Sequence, residues 1–463
     1  MACVTLGPLA GRRTTTSERV LSSRVKVGFA LGDHTVNAAL SALSLFYLFF
    51  LTQVSGLRPA LAGAVLLTGR AVDAFTDPAM GRLSDRTGWR LGRRRPYFLL
   101  GALPFGFSFA LLWQAVPLEG QLERFAVYAA AYALHSVAST VLAVPYMALL
   151  PELAVDYHER TSLNTFRSAA AVLGTLLAAV GFRPLVEAFG GGAPGFAAAG
   201  TAASVWLVLP WLVVYSVTWE RPRFAGQADS GLADGLRRLV AHRAYRQLVA
   251  LYLCARIAVD LIGAMLLFYF QHWLRRPGDF SIAIALLLCT VVASLPIWLR
   301  IARAVEKRTI FIFGACWWIG AQAFLLVLEP NWPRWTMFAV AAAAGIGYAV
   351  ADLMPWSMLG EVIDEDELET GQRREGVYAG LFTFVRKLGG ASGVALAGVV
   401  LDLSGFTAGS EPGEGALLAI RALTGGAPAL FLALAAVIAL SYPLTRVRHD
   451  AIVSGLRSRR GSG

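Results

Sequence analysis

Charge is scarce in this sequence. Of 463 residues only 15% are charged, against 56% hydrophobic, and the mean hydropathy is +0.58. A soluble globular chain averages about 25% charged residues, and a length of this order otherwise implies about three soluble domains. So few charges cannot cover such a surface, and the soluble reading is excluded. Disorder is excluded by the same numbers, because it needs low hydrophobicity with high net charge. Cysteine is nearly absent as well. Cys3, Cys254, Cys289 and Cys316 form no CxxC pair and no metal-ligand spacing, so neither a disulfide scaffold nor a zinc module is indicated. Residues 1–24 hold Arg12, Arg13, Arg19 and Arg24 without a separate apolar core, so a cleavable signal peptide is not expected.

Long apolar runs are what the sequence has in abundance. A membrane helix needs about 20 mainly apolar residues to cross roughly 30 Å of hydrocarbon. Twelve such stretches lie near 26–52, 59–82, 96–116, 124–150, 165–188, 195–217, 246–271, 280–300, 309–328, 334–359, 376–401 and 416–442. They are too long for barrel strands and do not alternate in-out. An all-α, multi-pass membrane protein of twelve helices follows.

Arginine and lysine set the expected orientation. Arg82, Arg86, Arg90, Arg93, Arg94 and Arg95 follow span 2, Arg303, Lys307 and Arg308 follow span 8, and Arg446, Arg448, Arg457, Arg459 and Arg460 lie in the tail. All fall on the side shared by both termini, which are therefore expected in the cytoplasm of a plasma (bacterial inner) membrane. This bias accounts for the net charge of +11, so no nucleic-acid partner is assigned. The longest polar interruption divides the chain into a cytoplasmic segment 1–24, a six-helix bundle 25–217, a central loop 218–245, a second bundle 246–442 and a basic tail 443–463.

The two halves share a pattern. Span 4 ends Ala143-Val144-Pro145-Tyr146-Met147 and span 10 ends Leu353-Met354-Pro355-Trp356-Ser357, each followed by an acidic segment and then a helix opening near a basic residue. Parallel six-helix repeats place a substrate site between the halves at mid-membrane.

Asp73 and Asp77 are the sharpest chemical feature. Four residues apart, they share one face of span 2. Each bare carboxylate costs about 2.5–3.5 kcal/mol inside a membrane helix. A small hard cation held by oxygens would compensate them; an ion pair with Arg70 or another basic residue is the alternative. Lys387 lies about 16 Å from the start of span 11, too deep for easy snorkelling. Arg256 and Asp260 read as a self-neutralising intrahelical pair, whereas Asp352 has no evident local partner and is a cavity candidate. His135 reads as a residue bonded to a neighbour. Trp356 is suited either to stacking on a sugar ring or to packing between helices. Asp85, Arg86 and Arg93 read as a cytoplasmic gate, with Arg167 near it. The acidic run Glu361–Glu369 is expected to face the cytoplasm. No nucleophile–base pair, metal triad or phosphate loop indicates an enzyme.

Several motifs resemble a known family. Gly81-Arg82-Leu83-Ser84-Asp85-Arg86-Thr87 with Gly92-Arg93-Arg94-Arg95-Pro96 resembles the loop signature of the major facilitator superfamily. Arg70-Ala71-Val72-Asp73-Ala74-Phe75-Thr76-Asp77-Pro78 is similar to the second-helix motif of its glycoside–pentoside–hexuronide:cation symporters, of melibiose-permease type. Gly32-Asp33, Val144-Pro145-Tyr146 and Lys387-Leu388-Gly389-Gly390 fit the same family, and Met354-Pro355-Trp356-Ser357-Met358-Leu359 resembles a run in its sodium-dependent lysolipid symporters.

The resemblance implies two ligand sets. The first is a cation site at Asp73 and Asp77, with Asn37 and Thr140 adding neutral oxygens. The second is a substrate and coupling set of Lys387, Asp33, Arg167, Trp356, Asp352, Tyr146, Ala143, Met147 and Thr383. Na+ is the cation expected first, with H+ and Li+ as alternatives; no other cofactor is expected. The family's sugar-contacting aspartates fall at Asn37 and Ala143 here, and a nearby tryptophan at Met147. A sugar or glycoside is the default substrate; the alternatives are a lysophospholipid, or a non-transporting role such as lipid scrambling. The expected assembly is a monomer among membrane lipids.

Overall fold

A computed structural model describes residues 21–154, 157–220, 241–371, 374–407 and 409–461. Most of the expected N-terminal segment and central loop, with Asp156, lies outside the described residues.

Among the described residues there are no strands, and twelve long helical rods follow one another. They are α1 (Ser23–Ala42, continued through π turns at Leu43–Tyr47 and Phe50–Val54), α2 (Pro59–Arg86), α3 (Pro96–Leu112), α4 (Gln121–Leu153), α5 (Tyr157–Ala188), α6 (Gly192–Val217), α7 (Arg243–Phe268, continued by a π turn at Tyr269–Trp273), α8 (Phe280–Ala304), α9 (Lys307–Val327), α10 (Arg334–Thr370), α11 (Glu375–Leu403) and α12 (Glu414–Arg421, a π turn, and Ala427–Leu440). A shorter helix, α13 (Arg446–Gly461), closes the chain. Nine of the described helices are long and apolar enough to cross a membrane on length and composition alone. The remaining rods, α1, α2 and α3, are either short or rich in polar groups.

Local chemistry sets the helix ends. Pro59 and Pro96 open α2 and α3, where a missing N–H costs nothing. Gly371 ends α10 with φ 73°, the left-handed conformation that glycine adopts without strain. Leu103, Phe107, Leu430 and Leu434 stay exposed on the outer surface, as lipid-facing side chains do in a membrane bundle.

The pairing of helices repeats at an offset of six. In the first half α1 packs on α5 and α6, α2 on α4, and α3 on α4 and α6; in the second, α7 packs on α11 and α12, α8 on α10, and α9 on α10 and α12. Contacts between the halves, α2 with α11 and α5 with α8, exchange under the same operation. This is the parallel repeat of the major facilitator architecture.

The halves meet tightly at the end remote from the termini. A Cβ on Gly63 would lie 2.8 Å from the Ala395 Cα, and one on Gly398 would lie 2.3 Å from the Pro59 carbonyl oxygen. Arg58 bridges to Asp402 at 3.2 Å, and Phe46 and Phe49 of α1 meet Phe280 and Phe268 at 5.6 and 5.3 Å between ring centres. The hydrogen bonds and ring contacts that close this end tie α1 and α2 to α7, α8 and α11.

Three sequence expectations need correction. The acidic run at Glu361–Glu369 is not a loop but the last turns of α10, with Glu361 on Lys307 at 2.8 Å and Glu365 on Arg448 at 2.6 Å. The acidic segment after span 4 is shorter than expected, because α4 runs to Leu153 and Glu159 already lies in the first turn of α5. The basic tail contains α13, whose Ile452 and Leu456 are buried against the end of α10. In each case charge ended the apolar run while backbone hydrogen bonding continued.

Candidate functional site

Asp73 and Asp77 lie on one face of α2, opposite α4 and α11. The Thr140 hydroxyl of α4 donates to Asp77 Oδ1 at 2.7 Å, and Thr76 donates to Thr140 at 3.4 Å. Ser136, one turn earlier on α4, donates to Asp73 Oδ1. Pro78 lies within α2, so the helical hydrogen bond to the Ala74 carbonyl is lost and a further oxygen is freed one turn from the carboxylates.

Both carboxylates have cationic partners. Arg70 Nη1 reaches Asp73 Oδ2 at 3.1 Å. Lys387 Nζ, carried by α11 in the opposite half, lies 2.8 Å from Asp77 Oδ2 and 3.4 Å from Asp73 Oδ2. The cluster therefore balances two negative charges with two positive ones, and one of the positive charges belongs to the other bundle. Side-chain exposure separates the two acids: Asp73 keeps 9% and Asp77 35%. Asp77 is the carboxylate open to an arriving ion. Among the described residues no group of three or more His, Cys, Asp and Glu could hold a metal ion; two carboxylates and hydroxyls suit a monovalent cation.

Asn37 stands apart from this set. Its amide donates to the Asp33 carbonyl at 2.8 Å and it lines the large cavity, whereas Ser136 is the residue that reaches Asp73. Serine is too common for the sequence to single Ser136 out. Thr383 lies one turn before Lys387 on α11.

A second cluster joins α1, α4 and α5. Arg167 clamps Asp33 through two nitrogens, one of them at 3.1 Å, and Tyr146 OH donates to Asp33 Oδ2 at 2.7 Å. Arg167 also approaches Met147 Sδ at 2.8 Å and sits 5.4 Å from the Tyr146 ring centre. Arg167 thus belongs with Asp33, not with the gate. Ala143 lies one turn before Met147 on α4, and Met147 is exposed.

The gate itself is larger than the sequence indicated. Asp85 pairs with Arg94 at 2.7 Å, and Arg93 and Arg94 both reach Glu152 at the end of α4. Glu220 accepts the backbone N–H groups of Arg93, Arg94 and Arg95 at 2.6, 2.8 and 2.7 Å, with Gly92 at φ 114° leaving no Cβ to block it. Arg86 is exposed and stands outside this network. His135 bonds Ser108 at 3.1 Å.

Between the halves lies a cavity of about 550 Å³, within the range of small-molecule sites. Asn37, Ser44, Arg256, Asp260, Gln322, Asp352, Trp356 and Arg386 are among the residues that line it, and apolar side chains of α1, α5, α7, α8, α9 and α10 make up most of the rest. Arg256 pairs with Asp260, as its spacing required, and also with Asp352 at 3.5 Å. Asp352 therefore has a partner 96 residues away in sequence, and the Arg256–Asp260 pair lines the cavity after all. Trp356 donates to Tyr252 OH at 3.0 Å and remains partly open to the cavity.

Comparison with known proteins bears on this arrangement. The family model for MFS/sugar transport proteins matches residues 28–446. An uncharacterized symporter of Synechocystis is 30% identical, covering 96% of this chain and 98% of its own. The sodium-dependent lysophosphatidylcholine symporter 1-A of zebrafish (Danio rerio) is 27% identical over 94% of this chain and 88% of its own. Among solved structures, a bacterial homologue of the human lysosomal transporter Spinster, inward-facing and unoccupied, superposes with a TM-score of 0.66 at 12% identity, covering 94% of this chain and 98% of that one; this likeness concerns fold alone.

Proposed function

Because the chain belongs to the MFS/sugar transport family, as one of the glycoside–pentoside–hexuronide:cation symporters, and is a membrane transporter rather than an enzyme, we propose that it couples inward flux of a cation, Na+ first, to uptake of a small organic solute by alternating access. One observation carries this reading: Lys387 of the second half occupies the Asp77 carboxylate of the first at 2.8 Å. A cation arriving at Asp73, Asp77, Thr140 and Ser136 competes with that ammonium. Its binding releases α11 from α2 and lets the halves rock about mid-span. Coupling of this kind is reciprocal, so solute and cation tighten each other's binding.

The geometry favours an amphiphilic solute. The cavity is lined by a few charged and polar groups, among them Arg256, Asp352 and Arg386, and by a larger number of apolar side chains, a mixture that suits a molecule with a polar head and an apolar body. A sugar or glycoside is the second reading, supported by the Asp33–Arg167–Tyr146 cluster, whose buried polar groups match hydroxyl recognition. The protein works as a monomer in the bacterial inner membrane, with lipid around the bundle and both termini cytoplasmic.

A thermal-shift screen of the full chain in nanodiscs, comparing single-chain phospholipids with disaccharides in Na+ and in N-methylglucamine, tests the proposal. Stabilisation by an amphiphile that grows with Na+ is expected, followed by gradient-driven uptake of the same compound into proteoliposomes. Disaccharide binding alone would transfer the conclusion to the second reading. Uptake indifferent to Na+, Li+ and proton gradients would remove symport.

A further inference from the structure

Two charged quartets sit at mid-span, and they differ in one respect. In the first, Arg70 and Lys387 each engage an aspartate. In the second, Arg256 takes both carboxylates, Asp260 and Asp352. The fourth member, Arg386, lines the cavity and among the described residues forms no ion pair within 4 Å. Arg386 is eleven residues into α11, about 16 Å along the helix, deep in an apolar span where a cation is costly unless it is compensated. No carboxylate of the quartet lies directly against it: Asp260 and Asp352 both turn to Arg256.

The surroundings say what would discharge it. Arg386 lines the cavity together with Trp356, Tyr348 and Asp352. Leu287, Val291, Val340 and their neighbours on α8 and α10 continue the wall as apolar surface. A guanidinium presents five N–H donors in a planar fork that matches a phosphate or carboxylate bidentately.

We propose that Arg386 is the receptor for an anionic group, phosphate or carboxylate, on a solute whose apolar body fills the pouch between α7, α8 and α10. This rests on the reading of the cavity as the transport site and narrows its solute to anionic or zwitterionic amphiphiles. Asp352 tunes the site in the opposite sense. Its side chain is 41% exposed, and its residual negative charge opposes the incoming anion. In this structure the Lys387 ammonium on the next residue is held by Asp77 and Asp73, which leaves Arg386 as the cation facing the cavity.

The test is equilibrium binding to the full chain in nanodiscs, read by tryptophan fluorescence. The probes are dodecyl phosphate and dodecanoate, neutral dodecyl maltoside, and inorganic phosphate alone. Dodecyl phosphate or dodecanoate should bind wild type, and the tighter of the two identifies the anion. Arg386→Gln should weaken that binding at least ten-fold, Arg386→Lys should recover part of it, and Asp352→Asn should tighten it two- to five-fold. Stabilisation by Na+ should be unchanged in Arg386→Gln, which also verifies its fold. Equal affinity of wild type and Arg386→Gln for both anionic probes overturns the proposal. So does maltoside binding that matches the anions, or inorganic phosphate binding as tightly as dodecyl phosphate. No gradient enters the measurement. A protein that binds through Arg386 but never transports would therefore retire the transport reading and leave this one standing.

Discussion

At the scale of single residues, Lys387 is the decisive group. On the proposed mechanism it is a tethered cation placed where a free one would sit, so its removal and the removal of its partner should have opposite effects on ion binding. Lys387→Gln leaves Asp77 uncompensated. The destabilisation should fall below the ~3–5 kcal/mol typical of breaking a fully buried pair, because about a third of each side chain is exposed. Added Na+ should restore that loss, giving a larger Na+-dependent rise in melting temperature than in wild type. Asp77→Asn should show no such rise. A Lys387→Gln protein blind to Na+ would contradict the competition. Asp73, Asp77 and Lys387 were legible in the sequence because a charge in an apolar run needs a reason. Ser136 was not, since a hydroxyl carries no such signal. The Arg256–Asp352 pair was not either, because it joins α7 to α10 across 96 residues and only the fold brings them together.

Among the helices, α2 and α11 do most to join the halves. They carry the carboxylates and the lysine at mid-span, and their glycines touch at the remote end. Gly398→Leu would drive a side chain into the Pro59 carbonyl and so destabilise the closed remote end. The cavity residue Ser44, changed to cysteine, should then react faster with a membrane-impermeant thiol reagent added from that side, several-fold above the rate without Gly398→Leu. An unchanged rate would mean that this contact does not hold the closed state. The four native cysteines, Cys3, Cys254, Cys289 and Cys316, must be replaced first. Helix number and order followed from hydropathy, as the twelve rods show. The ends of α4 and α10 did not, because hydropathy reports where a helix leaves the apolar layer, while Glu152 and Glu361–Glu369 continue the backbone ladder beyond it. The tail helix α13 escaped for the same reason: it buries only a narrow stripe, Ile452 and Leu456, within a basic sequence.

For the whole molecule, the helix pairing repeats at an offset of six and the halves close at one end, the arrangement that the proposed alternating access requires. The basic clusters predict cytoplasmic termini: a reporter active only outside the cytoplasm should stay dark when fused after Gly463, and activity there would invert the topology. The central claim is that the Asp73–Asp77 pair binds the coupling cation in exchange for Lys387. Radiosodium binding to the purified full chain, repeated with Li+ and with protons as competitors, tests it most directly. Saturable binding in wild type, displaced by at least one of the competitors and lost in Asp73→Asn and in Asp77→Asn while both variants stay folded, is the predicted result. Saturable binding of unchanged affinity in the double variant would place the ion elsewhere and contradict the account.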